Sequence, residues 1–357
     1  MTKKRCKEGL NWYGWTTPFS GYGIVTLEYA TALERLGCDV SIGWQRREPS
    51  NDLEWKYLTT EQQKLVHYKD FKKERIGIIK TTPDRFIENT SDIRIGYSMV
   101  EGTEIGKKWA QHCNSMDAMF VPSKYLVDIF KKGGVTVPIY TVRQGINPDN
   151  YHYIERKRDK ETFVFSTCGW LDDRKNWREM VTAFTSEFKK DEPVELWLKN
   201  SNSLFGFEQP SDSRVKFIDE LLSFEQMLIF YKNSDCFLFP SRAEGAGMPV
   251  REAMATGLPC ILTDWSGLSD VCDKRYNYPL TPVAIDVPDQ RKEASQPGFQ
   301  ARISIPELMY WMRHVYENQE EAREKGRKAS EWMTTEWNWD SCAKEVIDIL
   351  KKDFNYK

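Results

Sequence analysis

The stretch from Ser241 to Pro259 (Ser-Arg-Ala-Glu-Gly-Ala-Gly-Met-Pro-Val-Arg-Glu-Ala-Met-Ala-Thr-Gly-Leu-Pro) holds the most concentrated chemistry in this sequence. An apolar run ends at Phe239-Pro240. Gly245 and Gly247 then let backbone amides come close to a ligand. Pro249 suits the first turn of a helix. The start of that helix would present free amides and a positive dipole end, a ready anion site. Glu244 falls in the loop and Glu252 in the first turns of the helix. Two carboxylates cannot both face phosphates without repulsion. Both can accept hydrogen bonds from sugar hydroxyls, which are neutral donors.

A second cluster, Gly169-Trp-Leu-Asp-Asp-Arg-Lys-Asn-Trp over residues 169–177, follows the apolar run Thr162 to Cys168. A cationic turn at the end of a strand, opposite an anion-binding helix, is what a departing diphosphate needs. Fixed cations stabilise the charge that accumulates on the leaving group more in the transition state than in the ground state. Lys175 and Arg174 supply that charge, and Asn176 is placed to cap the helix that follows. Asp172-Asp173 makes no convincing metal site, and His67, His112, His152 and His314 lack metal-ligand spacing.

These clusters need strand ends and helix starts on one edge, and the surrounding pattern provides them. In the first half, Gly9 to Trp15 and Asp39 to Trp44 are expected as strands around a helix from Gly23 to Leu36. Asp92 to Met99, Met119 to Pro122 and Pro138 to Arg143 are expected as further strands, with Ser123 capping a helix. Polar residues 146–160 are expected as a linker. The second half is expected to place strands at Thr162 to Cys168, Glu195 to Lys199, Val215 to Ile218, Cys236 to Pro240 and Pro259 to Thr263. Helices are expected at Asn176 to Phe188, Ser223 to Asn233 and Pro249 to Thr256. Ile305 to Lys357 is expected to be helical. Alternating strands and helices imply parallel sheets with crossovers of one hand. Two such series in 357 residues imply two doubly wound α/β domains, with ligands in the crevice between them.

The bulk composition agrees. No run of ~18 apolar residues predicts a membrane helix, and no apolar stretch follows the basic N-terminus as in a signal peptide. The eight cysteines lack the short spacing of zinc or redox motifs, which predicts a reducing, cytoplasmic setting. The net charge of -2 demands no nucleic-acid footprint. The first 150 residues carry a net +4 and the rest -6, an asymmetry that slightly favours an anionic acceptor or a peripheral membrane contact.

The Glu-x7-Glu spacing of Glu244 and Glu252, with Pro240-Ser241, Gly247-Met248-Pro249, Glu252-Ala253-Met254-Ala255 and Gly257-Leu258-Pro259 around it, resembles glycosyltransferase family 4. The resemblance is strong over residues 162–270 and weaker over 1–150. It implies a GT-B fold: two facing Rossmann-like domains, with a final helix crossing back to the first. Carried over, residues 1–150 with 336–357 form the acceptor side, and residues 151–335 form the donor side. The resemblance also implies a retaining hexosyltransferase that uses a nucleoside-diphosphate sugar and requires no metal ion.

Residue by residue, Glu244 would touch the transferred sugar and Glu252 the ribose. Gly245, Ala246, Gly247, Met248, Pro249 and Val250 would line the donor. Lys175 matches the family's lysine, while Trp170 stands where the family has an arginine; Arg174 is the candidate replacement. The loop Thr17-Pro-Phe-Ser-Gly-Tyr-Gly resembles the first-domain loop over the donor phosphates, which nominates Gly21 and Gly23. In Tyr97-Ser-Met-Val-Glu-Gly, Glu101 stands near the place where many members carry a histidine; it would accept a sugar hydroxyl, stabilise positive charge at the anomeric carbon, or be a surface acid or helix cap. Trp12 and Trp15 are the expected stacking platforms, and Trp337 and Trp339 the expected packing anchors. The acceptor stays open among glycan, lipid-linked glycan, protein, small molecule and modified DNA base. A nucleotide-sugar epimerase or hydrolase on this architecture, or a non-catalytic sugar-nucleotide binding module, are the alternatives.

Overall fold

In a computed structural model of the chain, residues 9–18, 20–43, 58–67, 71–72, 75–156, 161–200, 211–288 and 298–356 are described. Cys6, Trp44 and the end of the expected linker lie outside them. The first domain runs β1 (Leu10–Tyr13), α1 (Gly21–Arg35), β2 (Val40–Gly43), α2 (Thr60–His67), β3 (Ile76–Lys80), β4 (Ile93–Tyr97), α3 (Lys107–Cys113), β5 (Ala118–Val121), α4 (Lys124–Lys132) and β6 (Ile139–Thr141). The second runs β7 (Phe163–Gly169), α5 (Trp177–Glu187), β8 (Val194–Asn200), β9 (Val215–Ile218), α6 (Phe224–Asn233), β10 (Cys236–Phe239), α7 (Met248–Ala255), β11 (Cys260–Thr263) and β12 (Tyr278–Leu280). An antiparallel pair, β13 (Ala284–Pro288) and β14 (Phe299–Arg302), precedes α8 (Ile305–Glu317), α9 (Gln319–Glu336) and α10 (Trp339–Asp353).

Both six-stranded sheets are parallel throughout, in the orders β2-β1-β3-β4-β5-β6 and β12-β11-β10-β7-β8-β9. Their strands are nearly continuous apolar runs, as sheets covered on both faces require. The order of the second sheet has a switch point between β7 and β10, where the connections leave for opposite faces. Such a seam opens a crevice at the carboxyl ends of the strands. It sets the loop after β7 beside the loop after β10, so the cationic turn and the Glu244 loop become neighbours although about seventy residues separate them.

The final helix α10 crosses to the first domain. Trp339, Val346 and Leu350 pack in one buried cluster with Trp12, Tyr29 and Val40. Ile146 bridges Asn338 where the chain leaves the first sheet and returns to it. Trp337 and Trp339 are both buried, as expected of packing anchors. Trp12 departs from expectation: it is fully buried and stacks on Tyr29 at 5.0 Å, so it is a core residue with no face for a sugar. Trp15 stays partly exposed, with the Arg85 guanidinium 5.7 Å from its ring.

Two capping expectations also need correction. Ser123 occupies the N-cap of α4, but its hydroxyl makes no capping bond; Asp270 of the second domain accepts from the Lys124 amide instead, at 3.1 Å. Asn176 precedes α5 in a left-handed conformation, and its side-chain oxygen accepts from Arg242 Nε at 2.9 Å rather than from the helix. In both places a tertiary partner displaced the local bond. β3, β12 and the β13–β14 pair, which the strand pattern did not predict, complete the architecture.

Candidate active site

The loop after β10 is fixed from two sides. The Ser266 hydroxyl accepts from the Glu244 amide at 2.9 Å, and the Gly267 amide donates to the Glu244 carbonyl at 2.9 Å. Gly247 takes φ 76°, a left-handed conformation that favours glycine, and directs the chain into α7. No side chain caps α7, and Pro249 in its first turn has no N–H. The amides at this helix start are thus left for another acceptor.

The cationic turn is laced to the same loop. The Arg242 amide donates to the Arg174 carbonyl at 2.8 Å, and Arg174 Nη1 donates to the Ala243 carbonyl at 2.8 Å. Lys175 Nζ and Arg174 Nη1 each lie 2.5 Å from Glu244 Oε1, and the Ser241 hydroxyl donates to the same oxygen at 2.6 Å. Three donors on Oε1 leave Oε2 with no hydrogen bond among the described residues. Burial by itself would push the Glu244 carboxyl up; Arg174 and Lys175 outweigh it and hold it down at about 2. Lys175 Nζ also sits 4.4 Å from the centre of the Phe239 ring. Its ammonium has three N–H bonds, of which Glu244 engages one, so two can meet an anion.

Glu101 joins this cluster from the first domain: its Oε2 lies 3.2 Å from Arg174 Nε, with Asp172 at 3.8 Å. Of the roles open to it, the ion pair across the cleft is the one this arrangement displays. Burial disfavours the Arg174 charge, but Glu101 and Glu244 outweigh it and raise the guanidinium above its ordinary value. The sequence left open whether Arg174 stands in for the family's arginine; it does reach Glu244. Trp170, at that arginine's position, is half exposed.

Glu252 lies apart from the cations. Its Oε2 accepts from Tyr231 OH at 2.8 Å, and Tyr231 OH in turn meets Cys168 Sγ at 3.3 Å. Burial raises the Glu252 carboxyl to about 7, against hydrogen bonds from Tyr231 and Tyr151 that lower it. The two acids thus sit in opposite environments: Glu244 is ionised by its cations, and Glu252 is kept near neutrality by dehydration. Ser241, from the Pro240-Ser241 motif, orients Glu244 together with Ser266, and Tyr231 and Tyr151 orient Glu252; no motif in the sequence flagged Ser266, Tyr231 or Tyr151, which converge only through the fold.

Gly21 and Gly23 fall inside α1 rather than in a loop before it. Ser20 caps that helix by accepting from the Gly23 amide at 3.0 Å, and a side chain at Gly23 would strike the Thr17 backbone. Gly23 is therefore demanded by packing. Gly21 has open space where its side chain would be. Gly245 abuts Met99 of the first domain, so a larger residue would wedge the two apart. Ala246 and Val250 are buried, and Met248 packs against the first domain's core. Among the described residues no group of three or more His, Cys, Asp or Glu side chains is placed to hold a metal ion, and no helix is long and apolar enough to cross a membrane.

Residues 162–291, which carry both loops, match the family described as Glycosyl transferases group 1. The second domain is a glycosyltransferase domain, and the protein an enzyme of that class. A GDP-mannose-dependent alpha-(1-6)-phosphatidylinositol monomannoside mannosyltransferase of Mycobacterium tuberculosis is 27% identical over 127 residues, which span 34% of this chain and 28% of the relative. The whole fold resembles solved GT-B glycosyltransferases. Sucrose-phosphate synthase from Thermosynechococcus elongatus superposes with a TM-score of 0.72 at 14% identity, covering 98% of this chain and 100% of that one. Anabaena Alr3699/HepE, solved in complex with UDP-glucose, superposes with a TM-score of 0.64 at 12% identity, covering 96% and 99%. The GT-B fold expected from the motifs is thus the fold of this glycosyltransferase.

Proposed function

We propose that the protein moves a sugar from a nucleoside diphosphate to an acceptor hydroxyl with retention at the anomeric carbon. The observation that supports this most is the convergence of Lys175 and Arg174 on Glu244 beside the uncapped start of α7. In this reading the diphosphate lies between that helix start, from Gly245 to Val250, and the free donors of Lys175 and Arg174. Glu244 Oε2 accepts a hydroxyl of the transferred sugar, and Glu252 accepts the ribose hydroxyls. The bond from the anomeric carbon to the diphosphate oxygen breaks. The acceptor oxygen attacks on the same face, and its proton passes to the departing diphosphate. Residues 1–150 with 336–357 would serve the acceptor and residues 151–335 the donor, with Glu101 facing the donor from the first domain and Gly21 on the border between donor and acceptor. The acids and cations of the site call for no metal ion, and the setting we propose is cytoplasmic.

The test is a panel of nucleotide sugars, UDP-glucose and GDP-mannose first, incubated with and without acceptors. Transfer predicts nucleoside diphosphate release that depends on an acceptor, with the product's anomeric configuration matching the donor by NMR. Release without acceptor would indicate a hydrolase, interconversion of sugars without release an epimerase, and no turnover a binding module.

A pH dependence follows from Glu252. Ribose hydroxyls donating to its carboxylate favour the ionised form, so binding draws the carboxyl below its unliganded value of about 7. Nucleotide affinity should therefore be full above pH 7 and fall by up to about tenfold per unit below it, as protonation competes. In the unliganded protein the sign is opposite. A raised carboxyl adds stability at low pH that is lost as pH rises through about 7. Calorimetric titration of nucleoside diphosphate from pH 5.5 to 8.5 (conditions set at roughly the range spanned by this group) measures the first effect. Only the part of the slope that Glu252→Gln removes belongs to this carboxyl, because the terminal phosphate also titrates. An unchanged slope in that variant would exclude the ribose contact.

A further inference from the structure

The first sheet has its own switch point, between β1 and β3. Tyr13 and Ile79 are paired there; the chain leaves β1 for α1 on one face and leaves β3 for the other. The rule that places ligands at such seams applies to this sheet as it does to the second. Lys80 ends β3 at that seam, on the same edge from which Glu101 reaches Arg174.

The Lys80 side chain is 1% exposed. Its Nζ lies 4.0 Å from the centre of the Tyr22 ring and 5.2 Å from that of Tyr97. Among the described residues no carboxylate and no hydrogen-bond acceptor engages it. Ring faces attract a cation, but they do not replace the water lost by three N–H donors. Burial accordingly pulls the amine down to about 7. Tyr22 is the second residue of α1, and the first, Gly21, has an amide that donates to nothing among the described residues and open space in front of it. A buried amine and the positive end of a fifteen-residue helix therefore face one seam. Together they are short of an anion. The donor diphosphate already has cations in Lys175 and Arg174 on the other sheet.

We propose that Lys80 and the first turn of α1 bind an oxyanion, a phosphate or a carboxylate, carried by the acceptor. This rests on the transferase reading and names its acceptor class. The sequence did not single out Lys80; the signal was there in Ile76-Gly-Ile-Ile-Lys, a buried strand that stops at a charge.

The experiment uses the full chain saturated with nucleoside diphosphate and titrates glucose 6-phosphate, glucuronate and glucose by calorimetry. The anions should bind about tenfold or more tighter than glucose, the worth of one charge-assisted hydrogen bond, and the tighter anion identifies the group. Lys80→Met keeps the length of the side chain and removes its charge. It should abolish the preference for anions and leave nucleoside diphosphate affinity unchanged. It should also raise the melting temperature of the unliganded protein, because it removes a buried charge; a merely structural lysine would lose stability instead. Glucose binding as tightly as the anions, no anion binding at millimolar concentration, or Lys80→Met retaining the preference would each overturn the proposal. Loss of nucleoside diphosphate affinity in Lys80→Met would also overturn it, by assigning the amine to the donor. Failure of every nucleoside diphosphate to bind wild type would instead sink the transferase reading.

Discussion

Replacing Lys175 with alanine is expected to slow turnover about a hundredfold, a loss on the order of 3 kcal/mol in the barrier, while the protein still folds. Nζ is buried beside Phe239 and spends one of its three N–H bonds on Glu244. Its remaining donors are fixed before substrate arrives, so they need no reorganisation as negative charge gathers on the leaving diphosphate. A contact that strengthens as the bond breaks lowers the barrier rather than merely tightening binding. Loss of the amine leaves Glu244 its contacts with Arg174 and Ser241, which is why folding should survive. Single-turnover kinetics on a donor and acceptor pair, with circular dichroism as the folding check, decide the matter. Turnover at the wild-type rate would refute the assignment.

Replacing Glu244 with alanine should cost both stability and activity. Without Oε1 the buried Lys175 ammonium keeps, among the described residues, only the Phe239 ring, and Arg174 keeps Glu101 and Asp172. Removing one partner of a buried ion pair typically costs about 3–5 kcal/mol, because a charge is left uncompensated. For a domain of this size that lowers the melting temperature by on the order of 10 °C. The sign of the pH dependence is fixed by the depressed carboxyl. Its contribution is complete above the ordinary glutamate range and is lost as pH falls toward about 2. The melting difference between wild type and Glu244→Gln should therefore be flat at neutral pH and shrink only in acid. Activity should fall with the sugar hydroxyl contact, more in kcat than in KM. A variant as stable and as fast as wild type would show that the cations do not depend on this carboxylate.

The second domain was legible because its chemistry is local. Glu244, Glu252 and the glycines lie within one strand–loop–helix unit, and Arg174-Lys175 follows directly on a strand of plain apolar character. The switch point then brings the two loops together, which strand order predicts once both series are recognised. What could not be read depends on partners distant in sequence. Asp270 takes over the cap that Ser123 was expected to provide, and Arg242 takes the side chain of Asn176. Trp12 looked like a platform near the cleft because alternation along β1 is masked by burial on both faces. Tyr231 and Tyr151 hydrogen-bond Glu252 and partly offset its burial, yet either would pass for an ordinary core aromatic in the sequence. β3 was missed because Ile76 to Ile79 is a short run broken by Gly77 and set between charged residues, and the lysine at its end was missed with it.

The crossing of α10 has a consequence for how the protein is made. Trp339 and its neighbours complete the interior around Trp12 and Tyr29, so a sheet whose strands lie between Leu10 and Thr141 is finished by a helix that begins only at Trp339. At translation rates of roughly 5–20 residues per second, that leaves it waiting on the order of ten seconds or more with its hydrophobic flank uncovered. The nascent first domain is thus the species most exposed to chaperones and proteases, and the second domain, self-contained in sequence, can mature ahead of it.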